Sequence, residues 1–248
     1  MPTLKHIIAV SALAIALIVG VAAYAVFKTP AASSGQIQAI PLDASAPQVS
    51  TTGAQPTTAA AASSTSAAST SVVTLQMIQA ESEARFIIDE VLNDAPKTVI
   101  GTTDQVAGEI AIDPQDPTQT RVGVIQVDAR ALTTDSDFRN RAIKNQILET
   151  DQYEYVTFTP TKIVGLPQAG AVGKPYTFQI VGDLTIRDVT KQVTFDVTAT
   201  AAAASRIEGT ATTSIAYADY GISIPQVRQV ASVADQVQLE LDFVAVAA

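Results

Sequence analysis

Residues 181–195 read Val-Gly-Asp-Leu-Thr-Ile-Arg-Asp-Val-Thr-Lys-Gln-Val-Thr-Phe. Gly182, Leu184 and Ile186 share one face of an extended chain, and Asp183, Thr185 and Arg187 share the other. Past a short polar break, Val193, Phe195 and Val197 alternate with Thr194, Asp196 and Thr198. Period-two alternation on both sides of a tight polar turn predicts a β-hairpin with one buried face.

Working outward, the same pattern recurs. Candidate strands lie at 85–89, 105–113, 121–129, 155–164, 175–186, 192–201, 206–217 and 236–245, with a further short one at 99–103. Asp113-Pro114-Gln115-Asp116-Pro117 and Gly165-Leu166-Pro167 punctuate them as turns. Roughly eight antiparallel strands in one segment predict a sandwich or a closed barrel. One stretch departs from period two. Over 135–150, Asp135 or Ser136 is a possible N-cap, and Phe138, Ala142, Ile143, Ile147 and Leu148 fall on one side of a helix. Its other side carries Arg139, Arg141 and Lys144, read as a solvated face or as a cationic rim for anionic lipid headgroups.

Upstream, the chain changes character. Residues 7–27 are 21 positions without a charge. As a helix at 1.5 Å per residue such a run spans about 31 Å, close to the hydrocarbon thickness of a bilayer. Lys5 and His6 precede it and Lys28 follows, a slight bias toward an inside N-terminus. A cleaved signal peptide is the alternative, with Ala23-Tyr24-Ala25 as the small-x-small site. Either way the folded part lies outside the cytoplasm, periplasmic or at the cell surface, and is secreted if Ala25 marks a cleavage site. Of the 28 residues at 44–71, 24 are Ala, Ser, Thr or Pro, and none is charged or aromatic. Such a stretch buries too little to offset its ordering entropy. An Ala-rich helix around 59–68 is weakened by the interleaved Ser and Thr, and Ser/Thr glycosylation stays open. The organisation that follows is 1–28 anchor or signal, 29–75 flexible linker with a reach of roughly 40 Å, and 76–248 folded domain.

Composition closes off several chemistries. Only Lys5, Lys28 and Asp43 among the charged residues precede residue 81, so the remainder holds 13 Lys and Arg against 23 Asp and Glu. An acidic domain does not draw nucleic acid by counterion release. There is no cysteine, hence no disulfide, thiolate or cysteine metal site. The single His is His6, so no Ser-His or Cys-His arrangement is available. Asp135 and Asp137, or Asp113 and Asp116, are carboxylate pairs, but the first is better read as a helix cap and the second as a turn, and neither has calcium-loop spacing. The reading is a non-enzyme with no cofactor and no metal.

Four ordered blocks resemble the YceI-like lipid-binding family. Arg85-Phe86-Ile87-Ile88-Asp89 looks like its opening strand. Leu132-Thr133-Thr134, Phe138-Arg139-Asn140 and Thr157-Phe158 look like its helix-containing crossover. Residues 182–193 look like its central hairpin. Asp219-Tyr220-Gly221-Ile222 and Val233-Ala234-Asp235-Gln236-Val237-Gln238-Leu239 look like its ending. The chain departs from the pattern at Glu90-Val91-Leu92-Asn93, where a His-Ser pair is common, at Asp188, where the hairpin has Gly, and at Tyr217 or Ala218, where an Arg is common. The resemblance implies an extended, lipocalin-like antiparallel β-barrel, all-β with one crossover helix, that encloses an isoprenoid chain such as a polyprenyl or quinone tail.

Such a ligand sets a physical requirement. Exposing a long prenyl tail to water costs about 0.8 kcal/mol per buried CH₂ equivalent, on the order of tens of kcal/mol in all. A binder must therefore cover nearly the whole tail. The candidate tunnel lining is Phe86, Ile88, Ile110, Phe158, Phe178, Ile180, Leu184, Phe195, Leu239 and Leu241, subject to strand register. The expected partners are an isoprenoid or other long-chain lipid and, through the N-terminal segment, a membrane. The function expected is an anchored extracytoplasmic carrier or store of that lipid. A surface-displayed structural or adhesive β-domain with a filled core is the alternative.

Overall fold

The structure, a computed structural model, describes residues 28–42, 72–225 and 230–247. The apolar run at 7–27 and the low-complexity stretch from 43 to 71 lie outside the described residues. Among the described residues no helix is long and apolar enough to cross a membrane.

Among the described residues thirteen strands form one antiparallel sheet: β1 (Val73–Met77), β2 (Glu83–Leu92), β3 (Ala95–Thr103), β4 (Val106–Ala107), β5 (Glu109–Ile112), β6 (Arg121–Val122), β7 (Ile125–Asp128), β8 (Tyr155–Val164), β9 (Pro175–Ile186), β10 (Val189–Ala203), β11 (Arg206–Ala216), β12 (Val230–Val233) and β13 (Gln236–Ala247). The expected number was about eight. The difference arises partly because the segment read as 105–113 breaks at Gly108 into β4 and β5, and that read as 121–129 breaks into β6 and β7. β1 and β12 are additional, and β2 and β3 are longer than their alternation indicates.

The neighbours run β4-β7-β8-β9-β10-β11-β13-β1-β5-β6. β2 pairs with β13 and β12, and β3 pairs with β2 alone. β4 sits at one end of that path and β5 near the other, yet only Gly108 separates them. The sheet therefore curls into an antiparallel half-barrel whose two margins are stitched together by the single segment 106–112. Met77 N–H donates to the Gly108 carbonyl at 3.0 Å and holds β1 across the stitch. Burial there is almost complete: Leu75, Val106, Ala111 and Ala245 are each 1% exposed or less.

Two turns explain the longest hairpins. Asn93 and Asp94 join β2 to β3 with φ of 51° and 62°, left-handed conformations that Asn and Asp tolerate and that match strand twist. Arg187, with φ of 59°, opens the β9–β10 turn.

Among the described residues the single α-helix, α1 (Asp137–Ala142), crosses from β7 to β8. The Ser136 hydroxyl caps it by accepting from Arg139 N–H at 3.4 Å. The helix is shorter than the 135–150 expected. From Ile143 to Ile147 it widens into a π turn, with Leu148 N–H donating to the Ile143 carbonyl at 2.8 Å.

Sequence reading assigned 29–42 to the flexible linker, yet the structure lays residues 28–42 along the barrel wall. Lys28 pairs with Asp151, and its carbonyl accepts from Asn145 Nδ2 at 2.7 Å. Ala31 N–H donates to Asp151 at 2.9 Å and Ser34 N–H to Glu154 at 2.9 Å. The Ser33 hydroxyl donates to Asp128, Gln79 Nε2 to the Ile37 carbonyl at 2.8 Å, and Leu42 N–H to Glu109 at 3.0 Å. β1 itself starts at Val73, three residues before residue 76.

Candidate ligand-binding cavity

Residues directly opposite one another on antiparallel strands point to the same face. The register therefore builds the inner wall in rungs. Phe178 lies opposite Val197, Val197 opposite Ala211, Ala211 opposite Leu241, and Leu241 opposite Ala84, so five strands each contribute one inward side chain. Ile180 with Phe195, Leu239 with Phe86, and Phe158 with Leu184 form further rungs. Together they bound a cavity of about 1270 Å³. All ten residues proposed from sequence as tunnel lining stand on its wall: Phe86, Ile88, Ile110, Phe158, Phe178, Ile180, Leu184, Phe195, Leu239 and Leu241. Ile110, Phe158, Ile180 and Leu184 are buried, whereas the other six keep intermediate exposure, as side chains bordering open space do.

Small residues keep the space open. Ala84, Ala199, Ala201 and Ala211 stand on the wall beside the bulkier positions. Gly182 serves a different purpose. A Cβ there would lie 2.6 Å from the Phe158 ring and 2.6 Å from the Thr159 carbonyl oxygen. The bare backbone thus lets Phe158 lie flat across β9 and meet Phe195 edge to face, with centroids 4.9 Å apart.

At one end, α1 and the π turn close over the cavity with Phe138, Ile143 and Ile147. The tip of the β9–β10 hairpin meets them there, where Arg187 bonds to Glu149 at 2.9 Å and donates to the Ile147 carbonyl at 3.4 Å. Phe138 is 49% exposed and also lines the cavity, so the space reaches the surface at this helix end. At the far end, Leu166, Pro167 and Val172 of the β8–β9 loop line it, with Val172 63% exposed.

The three cations on the helix divide: Arg141 stays exposed to solvent, whereas Arg139 and Lys144 are partly buried. Arg139 turns inward to Glu90 at 2.8 Å and also pairs with Asp135, which binds Lys97 at 2.6 Å. The hydrogen bond from Lys97, with the Arg139 charge, holds Asp135 below the usual carboxylate range. Burial pulls Lys144 below the ordinary lysine range, against the opposing influence of Asp128. Glu90, Arg139, Asp135 and Lys97 all border the cavity and form a continuous polar chain at its helix end. Sequence reading placed Arg139 on the cationic side of the helix and Asp135 at its cap, and did not assign Glu90 or Lys97. The available signal was Glu90 itself, a charge on the face of β2 that otherwise presents Ala84, Phe86, Ile88 and Leu92.

Three of the four carboxylates weighed for catalysis, Asp113, Asp116 and Asp135, have structural partners. Asp113 accepts from Gln115 N–H at 2.9 Å, and Asp116 caps a 3₁₀ turn by accepting from Thr118 N–H at 3.1 Å. Among the described residues no group of His, Cys, Asp and Glu has the arrangement to hold a metal ion. Tyr220 is 2% exposed with its hydroxyl unpartnered, and burial pushes its phenol up to about 12.

Comparison with known proteins places this geometry. The family description "YceI-like domain" matches residues 75–245. Comparison with curated proteins returned no match. Among solved structures, a polyisoprenoid binding domain from Saccharophagus degradans, implicated in plant cell wall breakdown, superposes with a TM-score of 0.55 at 17% identity, covering 71% of this chain and 99% of that one. BcnA from Burkholderia cenocepacia gives a TM-score of 0.54 at 20% identity, covering 68% and 98% respectively. The YCEI protein of Campylobacter jejuni gives 0.50 at 16% identity, covering 60% and 84%. At these identities the likeness is one of fold.

Proposed function

The chain belongs to the YceI-like domain family, and on that premise we propose that it is a membrane-tethered, extracytoplasmic protein that holds an isoprenoid-type lipid in its barrel for transport or storage. The observation that carries this reading is the cavity of about 1270 Å³ walled by apolar side chains from both sheet margins and the crossover helix. An apolar space of that size serves a ligand that is itself apolar along most of its length. Each five-carbon unit of a prenyl tail removed from water contributes about 4 kcal/mol. Transfer from bilayer to cavity is close to neutral, which suits reversible loading. The polar end of such a lipid would meet the Glu90–Arg139–Asp135–Lys97 chain at the helix end. The function is binding without catalysis.

The uncharged run at 7–27 supplies the membrane segment in this reading. Native mass spectrometry of the full chain purified from membranes, with solvent extraction of bound lipid, tests it. The expected result is one isoprenoid molecule per chain. A clean ligand-free mass that does not change on incubation with quinones and polyprenols would overturn it in favour of a display domain.

A further inference from the structure

We propose that residues 28–42 are a strap that seats the helix end of the barrel against the bilayer, so that the cavity opens at Phe138 directly onto the membrane surface. The proposal rests on the anchored reading above.

The strap is built into the fold. Asp128 has no solvent exposure, and Glu109 is 7% exposed. The strap gives each of these buried carboxylates a donor, the Ser33 hydroxyl for Asp128 and the Leu42 N–H for Glu109. A buried carboxylate that loses a donor is left under-satisfied, at considerable cost in stability. Leu42 also packs over Gly123, with its Cγ 3.3 Å from where a Cβ would stand.

The strap also has a direction. Its first residue, Lys28, is held by Asn145 of the π turn and by Asp151, both at the helix end. Its last, Leu42, reaches Glu109 on the wall. Lys28 directly follows the uncharged run 7–27. The point where the chain would leave the membrane is therefore one residue from a contact with the crossover segment, not some fifty residues away from it. The low-complexity stretch cannot restore that distance. It starts beyond Leu42 and returns to β1, whose Gln76 donates to the same Glu109 at 3.1 Å. Leu42 before that stretch and Gln76 after it thus bond to the same carboxylate.

The surface brought to the bilayer suits it. Phe138 is half exposed there, and Arg141 is exposed one helical turn along. An apolar residue beside a cation is the pairing that an interfacial, anionic headgroup layer accepts. A tail could then pass between bilayer and cavity without crossing water.

The full chain has no cysteine, so a single introduced thiol reports position. F138C at the helix end and V172C at the far end are each labelled with an environment-sensitive fluorophore. Each protein is then reconstituted in vesicles of phosphatidylcholine and phosphatidylglycerol containing headgroup-spin-labelled lipid. The twelve residues of β9, allowing for strand tilt, separate the two ends by about 30 Å. Quenching is expected to be several-fold stronger at 138 than at 172. A variant carrying A31P and S34P removes two strap donors. It should stay in the vesicles with unchanged β-sheet circular dichroism, and the difference should disappear. Equal quenching at both sites in the parent, or stronger quenching at 172, overturns the strap. Failure of the parent to float with the vesicles overturns the anchored reading and the strap with it. Flotation with equal quenching overturns the strap alone.

Discussion

Replacing Ala211 by Phe separates a hollow barrel from a filled one by the sign of a stability change. Ala211 is 9% exposed, faces the cavity, and sits mid-rung between Val197 and Leu241. In a well-packed core, added bulk forces strain of about 1–3 kcal/mol. For a domain of this size that lowers the melting temperature by about 2–12 °C. In an empty lumen the ring meets apolar wall without displacing any of it. Burial of a Phe side chain is then favourable by up to about 1.5–3 kcal/mol relative to exposure. The melting temperature of delipidated A211F protein is therefore expected to stay level or rise. Ligand capacity should move the other way. A ring that occupies the space of one five-carbon unit removes about 4 kcal/mol of tail burial, about a thousandfold in affinity. The assay is thermal melting of delipidated protein by circular dichroism, paired with mass-spectrometric quantitation of lipid co-purified from membranes. A clear fall in melting temperature with unchanged lipid content would refute the hollow-barrel reasoning.

Gly182→Val drives a side chain into the Phe158 ring and the Thr159 carbonyl. It should cost about 1–3 kcal/mol in urea unfolding, and an unshifted midpoint would mean that Phe158 does not lie over β9. Arg139→Met leaves Glu90, with a side chain 8% exposed, facing the cavity without its cation, and is expected to destabilise by about 3–5 kcal/mol. Adding Glu90→Gln should recover much of that loss, and a double-mutant cycle showing strict additivity would dissolve the pair. Acid should loosen the strap. The Lys28 hydrogen bond, then that from Ala31 N–H, holds Asp151 below its ordinary 3.8. Burial pushes Glu154 up, but the Ser34 hydrogen bonds and the Arg130 charge outweigh it and leave the group below its ordinary 4.5. A depressed carboxylate stabilises the folded form fully above its unfolded value and loses that contribution as pH falls through the folded one. Amide-exchange protection at Ala31 and Ser34 should therefore persist from neutral pH down to the ordinary carboxylate range and vanish below it, and loss of protection already near neutrality would contradict this.

Much of the barrel was legible because alternation is a local signal. β8 and β9 begin and end where the pattern places them, and the ten apolar residues picked by parity all stand on the cavity wall. The cavity itself was not legible, because Ala84 and Ala211 read the same whether they abut a partner or open space. The β2–β3 hairpin escaped because Asn93-Asp94 makes a left-handed turn without the glycine that usually announces one. α1 was overextended because its apolar spacing continues through Ile147, while the hydrogen bonding changes at Ile143. The strap carries no periodicity at all. Its backbone and hydroxyl donors meet carboxylates 67 to 120 residues away, and no local pattern encodes that.

β3 has one strand neighbour, β2, and one further bridge, from Thr102 to Thr133. A long strand with a bare side is ordinarily a template for another chain. Here Pro96 offers no N–H, Lys97 places a charge beside it, and the Thr133 bridge occupies the other extremity. Only the span from Thr98 to Gly101, including the half-exposed Ile100, remains unguarded. Edge-to-edge pairing on this side is therefore confined to a span of four residues between a proline and a bridge.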